Sequence, residues 1–465
     1  MKIKRLIKTM AVFFVGNALS KLISFFLLPL YTSKISPVQY GNYDIALSFV
    51  NLIAPLAFFQ IWDGMYRLAF DYKEENEKNI VISNAIGFSS IGIILYLAMF
   101  FVINIIFDIY YFEYVLLYGF IYGIHYLFAF STRVYLSNKL FVFSGLISTL
   151  TTAILNIILI LGFGWDIKSI YFSAIIGLLV QIVIIEVKIG IIRHFRIKYI
   201  QKTLIRKMVR FSIPLCISTI SYWLLSGFTK VLIQAFVGDY GNGIYAVANK
   251  FSTFITFIVT IIQYAWNETA YLISTEETTE RTKNYELSMN IMIVGVVFGT
   301  ACFCLIAKIL FPFMVDEQYS ESLFIIPISI IGTAANSLAS FIGTFFLAEK
   351  RTKCIWISTM VSASINVVCG YICVKYLGLI GGIAVLSISF ILLALIRMIT
   401  AMKLFKLKLD IKKIIYCLAI LVLSLVIYYS LDNVFITVGG LILITAVLLF
   451  LFRKSIKAVL GLIKR

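Results

Sequence analysis

The feature that most constrains this chain is a series of continuous apolar runs, each about twenty residues long, separated by short charged loops. A run of that length crosses the hydrocarbon core of a bilayer as an α-helix, whereas a strand of a membrane barrel alternates apolar and polar residues over about ten positions. Hydrophobic residues make up 61% of the chain, charged residues 13%, and the mean hydropathy is +1.00. The sequence therefore predicts an all-α integral membrane protein with about fourteen transmembrane helices.

Membrane topology explains the basic excess of the chain. The formal net charge is +18, and most of the forty Lys and Arg residues lie in alternate short loops and at the two termini. This is the positive-inside pattern, and it predicts a multi-pass protein with both termini in the cytoplasm. The predicted partner of these charges is the lipid bilayer and not nucleic acid, because no basic run stands outside the loops that the topology explains. The first apolar run, which ends near Leu30, lacks a cleavage site and is predicted to stay as a helix.

Two short motifs recur in the same order in the two halves of the chain. The tripeptide Tyr-Gly-Asn occupies residues 40–42 and 240–242, each time in a predicted turn next to a helix. Ile-Ser-Thr, followed by an Asn, occurs in residues 147–156 and again in residues 357–366. An even number of predicted spans separates the copies, so the halves share one orientation. The sequence therefore predicts two parallel six-helix repeats followed by two C-terminal helices.

The charged loops set the predicted domain boundaries. Residues 1–190 form the first six-helix bundle, and residues 191–210 form a basic cytoplasmic linker. Residues 211–402 form the second bundle, in which glycines near residue 380 are predicted to make a tight turn between two helices. Residues 403–465 hold the two additional helices and a basic tail.

Two predicted helices carry a polar face inside the membrane. In the second helix, Asp44, Ser48 and Asn51 form one stripe, and Pro55 is predicted to kink the helix. In the eighth helix, polar residues recur at intervals of four, three, four, three and four residues, which keeps them on one side. That face consists of Asn249, Thr253, Thr256, Thr260, Gln263 and Asn267. A polar face in a span needs water or protein beside it, so both faces are predicted to line a site.

Charged residues within the predicted spans are the strongest candidates for function, because a lysine at mid-bilayer costs about 2.5–3.5 kcal/mol on insertion scales. Four intramembrane cations and the polar residues near them are predicted to bind an anionic substrate. The predicted substrate-binding residues are Asn17, Lys21, Arg67, Lys230, Asn249, Lys250, Thr253, Gln263 and Asn267. The predicted ion-coupling residues are the carboxylates Asp44, Asp63 and Glu268, since a carboxylate in an apolar setting can hold a proton near neutral pH.

Two alternatives stay open for these charges. Asp63 and Arg67 are four residues apart on one helix, so a simple ion pair between them is as well supported as a role in transport. Lys230 and Lys250 lie toward the outer side of their predicted helices, and an extended lysine there can reach the polar interface of the bilayer.

Residues typical of an enzyme are missing from the sequence. The seven cysteines form no Cys-x-x-Cys pair, and the two histidines, His125 and His194, cannot complete a zinc centre with them at familiar spacings. The predicted outer loops are short, and there is no glycine-rich phosphate loop. We therefore predict no catalytic residue, metal or cofactor. His125 lies inside the predicted fourth helix, where a packed or hydrogen-bonded histidine is favoured over a proton relay.

Several of these features together are similar to one family of transporters. They are the cationic N-terminus with Asn17 and Lys21, the Tyr-Gly-Asn motifs at residues 40–42 and 240–242, and the layout of twelve helices plus two. In them the chain resembles the Wzx-type oligosaccharide flippases of the multidrug/oligosaccharidyl-lipid/polysaccharide exporter superfamily. The resemblance implies that undecaprenyl-pyrophosphate-linked oligosaccharide is moved from the inner to the outer leaflet of the bacterial cytoplasmic membrane, for capsule, exopolysaccharide or O-antigen synthesis.

The resemblance also implies a cationic central cavity and alternating access coupled to H⁺ or Na⁺, with a polysaccharide polymerase and chain-length machinery as partners. Lys21 is transferred by its place in the first helix, but the family's cavity arginines have no clear match here, and lysines stand in their stead. Lysine acts as a point charge, whereas arginine binds phosphate through two hydrogen bonds. A cation-coupled multidrug exporter and a flippase of lipid-linked peptidoglycan precursors stay open as alternatives. A non-transporting membrane scaffold would explain the hydropathy but not the polar faces.

Overall fold

The computed structural model describes residues 16, 19–72, 74–274, 277–430 and 434–451. These residues form fifteen helices with short connections and no β-strand, so the predicted all-α membrane fold is confirmed. Residues 19–26, which precede the first of these helices, are also helical. The helices are α1 (Leu28–Lys34), α2 (Pro37–Ala57), α3 (Ile61–Ala69), α4 (Glu75–Phe107), α5 (Phe112–Val134), α6 (Asn138–Ile157), α7 (Lys168–Ile189), α8 (Ile191–His194), α9 (Lys202–Phe236), α10 (Asp239–Ile273), α11 (Thr278–Met314), α12 (Ser322–Ala348), α13 (Thr352–Phe405), α14 (Ile411–Ser430) and α15 (Val434–Leu451).

Most of these helices can cross a bilayer. Ten described helices are long and apolar enough to span it, or eleven when α2 and α3 count as one bent span. This count takes α13 as a single helix and does not include the first apolar run or α15. The prediction of about fourteen spans includes both and counts α13 as two helices. The protein is therefore a multi-pass membrane protein.

α13 is a helical hairpin and not one long helix. A straight helix of its 54 residues would be about 81 Å long. Yet the Nε atom of Arg397 lies 3.1 Å from the Oγ atom of Ser358, which comes 39 residues earlier. The chain reverses at Gly378, where φ is 58° and ψ is −140°, a conformation that suits glycine and is costly for residues with a Cβ. The predicted tight turn is confirmed, and it separates two arms, residues 352–377 and 379–405.

By packing, the chain divides into two compact units, residues 1–243 (unit 1) and residues 244–465 (unit 2). This boundary lies near the start of α10, whereas the sequence predicted a linker at residues 191–210. The two divisions describe different things, because a compact unit groups helices by contact and a repeat is defined by order along the chain. The predicted domain boundaries therefore stay a prediction.

In unit 1, α7 packs on α5 and α6, and α9 packs on α2 and α3. Gly177 lets α6 and α7 approach closely, because a Cβ at this position would overlap the hydroxyl of Thr152. Large aromatic side chains such as Tyr96 and Phe58 are fully enclosed among these helices. This packing places α2, α3 and α9 side by side.

The two Tyr-Gly-Asn motifs lie within the first turns of helices, so the predicted turns at these positions are wrong. Helix α2 begins at Pro37, because the Ser36 side chain accepts a hydrogen bond from the Gln39 backbone and proline suits the first helical position. Similarly, α10 begins at Asp239, directly after the turn at Gly238. The structure brings the two helix starts together, since a Cβ added at Gly41 would overlap the carbonyl of Asp239.

In unit 2, α12 packs against α13, and α11 packs against α12, α14 and α15. The rings of Tyr285 and Phe345 stack with centroids 4.7 Å apart and join α11 to α12. Helix α10 adds to this core, because the Trp266 ring stacks on Phe341 of α12 with centroids 5.0 Å apart.

Candidate functional site

Asp44 and Lys230 form an ion pair between two membrane helices of unit 1. The Lys230 Nζ atom of α9 lies 2.7 Å from the Asp44 Oδ2 atom of α2, and the side chains are only 14% and 20% exposed. The sequence placed these residues in separate roles, Asp44 in ion coupling and Lys230 in substrate binding. The structure brings the two together, since the Lys230 ammonium group contacts the Asp44 carboxylate.

The polar stripe predicted on α2 is in contact with polar groups throughout its length. Beyond Asp44, the Trp223 Nε1 atom donates to both the backbone oxygen and the hydroxyl of Ser48, each at 3.0 Å. The Tyr122 hydroxyl donates to the Asn51 side-chain oxygen at 3.1 Å. Lys230 and Trp223 lie two turns apart on one face of α9, so this helix binds the stripe at two levels.

Tyrosines surround the end of α2 that carries Asp44. The ring centroids of Tyr40 and Tyr43 lie 6.0 Å apart, and those of Tyr43 and Tyr171 lie 5.0 Å apart. Tyrosine offers an apolar ring together with a hydroxyl that forms hydrogen bonds. The ion pair is therefore held in a partly polar environment, where a charged pair costs less than it would in hydrocarbon.

The kink predicted at Pro55 is confirmed as a break between α2 and α3, which are bent by 51°. Proline cannot continue the hydrogen-bond ladder, and the chain passes through Phe59 and Gln60, both with positive φ, before α3 begins. Two residues of α9 hold the break: the Ser212 hydroxyl donates to the Gln60 backbone oxygen at 3.0 Å, and the Gln60 amide donates to the Thr219 hydroxyl at 2.5 Å. Backbone groups freed inside a membrane are thereby satisfied by protein.

Asp63 and Arg67 of α3 do not pair with each other. The Arg67 Nη1 atom lies 3.1 Å from the Asp71 Oδ1 atom, and both side chains are more than half exposed. Asp63 is half-buried. The ion-pair alternative is therefore wrong, and Asp63 keeps its place among the candidates for coupling.

The first helix is described only in part. Lys21 lies in helical residues 19–26 and is exposed, with no ion-pair partner among the described residues. Asn17 lies outside the described residues. The predicted roles of both residues stay a prediction.

The polar face predicted on α10 lies away from the packed core of unit 2. Asn249, Thr256, Thr260 and Gln263 are half-buried and Thr253 is exposed, whereas Phe251, Ile255, Val259 and Trp266 of the same helix are buried. Lys250 is half-buried beside this face. Asn267 and Glu268 lie further along α10, but their side chains are outside the described part of the chain. The face is thus available for contacts beyond its own unit's core.

Arg397 is a buried arginine that the sequence analysis missed. Its side chain is 7% exposed, and it lies on the second arm of α13. It donates to the backbone oxygen of Ala339 at 2.8 Å and to the hydroxyls of Ser358 and Thr359 at 3.1 and 3.0 Å. These partners are neutral, so the guanidinium is hydrogen-bonded without a carboxylate among the described residues.

His125 is hydrogen-bonded, as the sequence analysis favoured. Its Nε2 atom lies 2.8 Å from the Gln181 side-chain oxygen. The ring borders a cavity of about 250 Å³ among the first helix, α5, α6 and α7. A second, apolar cavity of about 410 Å³ lies in unit 2 between α10 and α11, next to Gly295 and Gly299. No group of three or more potential metal ligands occurs within the described residues.

The chain belongs to the polysaccharide biosynthesis protein family, because residues 6–267, more than half of its length, match the model of that family. The resemblance seen in the sequence is therefore confirmed as far as a family of polysaccharide biosynthesis proteins. No curated protein matches the chain.

Several solved structures similar to this chain are membrane transporters. The chain is similar to an inward-facing multidrug resistance MATE family transporter of the MOP superfamily, with 14% identity, a TM-score of 0.69, and coverage of 85% of this chain and 94% of that one. It is similar to the lipid II flippase MurJ in an inward closed conformation, with 17% identity, a TM-score of 0.66, and coverage of 96% and 100%. It is also similar to a MOP superfamily transporter from Pyrococcus furiosus, with 13% identity, a TM-score of 0.62, and coverage of 86% and 95%. At these identities the similarity defines the fold alone.

Proposed function

We propose that this protein is a flippase that moves undecaprenyl-pyrophosphate-linked oligosaccharide repeat units from the inner to the outer leaflet of the bacterial cytoplasmic membrane. The product would serve capsule, exopolysaccharide or O-antigen synthesis. Family membership and the transporter fold support this proposal, and so does the Asp44–Lys230 ion pair, which carries it. A charged pair inside a span is costly and is typical of a transport pathway.

The ion pair offers a direct way to couple an anionic substrate to a cation. A pyrophosphate carries more negative charge than a carboxylate, so it would compete with Asp44 for the Lys230 ammonium group. Asp44 would then be a lone charge in an apolar setting, which is costly. Uptake of H⁺ or Na⁺ at Asp44 would remove that cost, so substrate binding and cation binding would proceed together.

The remaining predicted residues have places in this scheme. Lys21, Arg67 and Lys250 would provide further positive charge for the pyrophosphate, and the amides and hydroxyls of α10 would form hydrogen bonds to sugar. The apolar cavity beside Gly295 and Gly299 matches the chemistry of a polyprenyl chain and not that of a headgroup. Asp63 and Glu268 are the further carboxylates for coupling.

In this function both termini would lie in the cytoplasm, and the protein would be a carrier and not an enzyme. If the lipid-linked oligosaccharide is collected at the inner leaflet, the polymerase and chain-length machinery would act after this protein, on the outer leaflet.

The decisive experiment measures the pool of lipid-linked oligosaccharide in cells that lack the protein, with its leaflet assigned by a membrane-impermeant probe. Accumulation on the cytoplasmic leaflet, relieved by restoring the gene, is expected. Cells carrying Lys230→Gln should resemble the deletion, whereas Lys413→Gln, which alters an exposed ion pair with Asp410, serves as a matched control. An unchanged pool in the deletion strain would contradict the proposal and favour the multidrug exporter.

A further inference from the structure

His125 ends a chain of hydrogen bonds whose direction is fixed at every step. The Ser144 hydroxyl donates to the Phe141 backbone oxygen at 3.2 Å, so its oxygen accepts from the Gln181 amide nitrogen at 3.3 Å. This turns the Gln181 carbonyl oxygen toward His125, whose Nε2 atom lies 2.8 Å away and must therefore carry the proton. In the neutral ring, Nδ1 is then a bare acceptor. It is buried and has no hydrogen-bond partner among the residues that the structure describes.

The cavity beside this imidazole is polar on one side. Ser20 of the first helix, Thr149 of α6 and Gln181 of α7 line it together with His125, and the Thr149 hydroxyl lies 3.2 Å from the Ser20 hydroxyl. A volume of about 250 Å³ holds several water molecules but is narrow for an oligosaccharide. The cavity can therefore admit water molecules beside the ring, while Nδ1 itself is covered by the surrounding protein.

Charged groups lie on the neighbouring elements but not in the described lining of the cavity. Among the lining residues, the other titratable group is the phenol of Tyr126. Lys21 follows Ser20 on the first helix and is exposed. Asp63 follows Trp62 on α3, and the Trp62 ring stacks on Tyr126 at 4.9 Å. Nothing described in the lining competes with His125 as a base.

We propose that His125 and this cavity form a proton-binding site, distinct from the Asp44–Lys230 pair. When the packing beside the ring opens, a hydronium ion from the cavity transfers H⁺ to Nδ1, leaving a water molecule and an imidazolium whose Nε2–H still donates to Gln181. The new Nδ1–H then has the released water as its acceptor. A nitrogen base favours a proton over Na⁺ or other hard cations, which prefer oxygen ligands.

The site joins helices that surround the cavity. His125 lies on α5, Gln181 on α7, Thr149 on α6 and Ser20 on the first helix. Protonation converts an acceptor into a charged donor, so it changes which of these helices His125 can bind. The role of this proton in driving transport rests on the proposed function. Its binding at Nδ1 does not depend on that function.

The binding step can be tested on the whole protein in lipid nanodiscs with ¹⁵N-labelled histidine. The chain has only two histidines, and the other, His194, is exposed after α7. His194→Gln therefore leaves one imidazole to observe, and the unchanged protein supplies His194 as an internal reference. We expect Nε2 to stay protonated at every pH and the Nδ1 resonance to move from the unprotonated to the protonated position on acidification. A protonated Nδ1 in the neutral ring, or an Nδ1 that stays unprotonated while His194 titrates fully, would overturn the site.

The coupling step is tested by flipping in proteoliposomes with and without an imposed pH gradient. In His125→Gln the ratio of the two rates should fall below that of the unchanged protein, with Asp44 left as a proton acceptor, whereas His194→Gln should keep the ratio of the unchanged protein. A ratio that His125→Gln leaves intact would overturn the coupling role. Absence of flipping by the unchanged protein would instead contradict the proposed function, and the proton-binding result would stand.

Discussion

Lys230 in unit 1 and Arg397 in unit 2 are both cations within membrane helices, but their surroundings differ. Lys230 contacts one carboxylate, Asp44, at 2.7 Å. Arg397 donates to three neutral oxygens of α12 and the first arm of α13. A lysine can exchange one anion for another, whereas a guanidinium held at three points is fixed. Burial and charge therefore do not by themselves identify a binding residue, because the partner decides what the cation can do.

The largest effect is expected from Arg397→Leu. The change removes three hydrogen bonds and leaves a buried carbonyl without its donor, so the free energy of unfolding should fall by about 3–5 kcal/mol. Thermal unfolding of the purified protein measures it. Lys403→Gln, at an exposed position near the end of α13, is the control and should change stability by less than about 0.5 kcal/mol. If Arg397→Leu is as stable as the unchanged protein but cannot export polymer, Arg397 is a binding residue. The contrast drawn here with Lys230 would then be wrong.

A smaller loss of stability, with a complete loss of export, is expected from Asp44→Asn and from Lys230→Gln. Each change leaves a partly buried charge alone, which should cost about 1–3 kcal/mol. The double variant removes both charges and should recover most of that stability, but not export. Arg67→Gln alters an exposed pair and should cost less than about 0.5 kcal/mol. Costs that simply add in the double variant would show that the two charges are not coupled.

The smallest expected change in stability tests whether Arg397 is fixed in place or can move. A Cβ at Gly343 would lie 3.0 Å from the Arg397 Nη1 atom, whereas at Gly299 it would meet no atom within 4 Å. Gly299→Ala should therefore raise stability by about 0.5–1 kcal/mol through helix propensity. Gly343→Ala should lower it by about 1 kcal/mol, because a guanidinium held at three points cannot move aside. Equal melting temperatures for the two variants would mean that Arg397 shifts freely.

The features of the fold that the sequence predicted correctly depend on residues close together in the chain. The break after Pro55 and the reversal at Gly378 follow from the backbone limits of proline and glycine. The predicted turn at residues 36–41 was wrong for an equally local reason. Ser36 and Gln39 cap the helix and Pro37 opens it, and this signal outweighs the glycine at position 41.

The candidate site was less predictable, because its contacts join distant segments. Asp44 and Lys230 were identified separately by their charge, but only packing of α9 on α2 makes them a pair. Arg397 could have been found as a charge inside an apolar run. However, it lies shortly before the basic loop that starts at Lys403, so in the sequence it is easily taken for one of the charges of that loop. Its three acceptors come from two other segments, which no local pattern reveals.

The reversal at Gly378 also bears on how this gene can change over time. A turn made by a single residue cannot absorb an added residue. One inserted residue therefore rotates the following helix by about 100°. Such an insertion would carry Arg397 away from Ser358 and Thr359. In evolutionary terms, the stretch from Ser358 to Arg397 can accept substitutions but not a change of length.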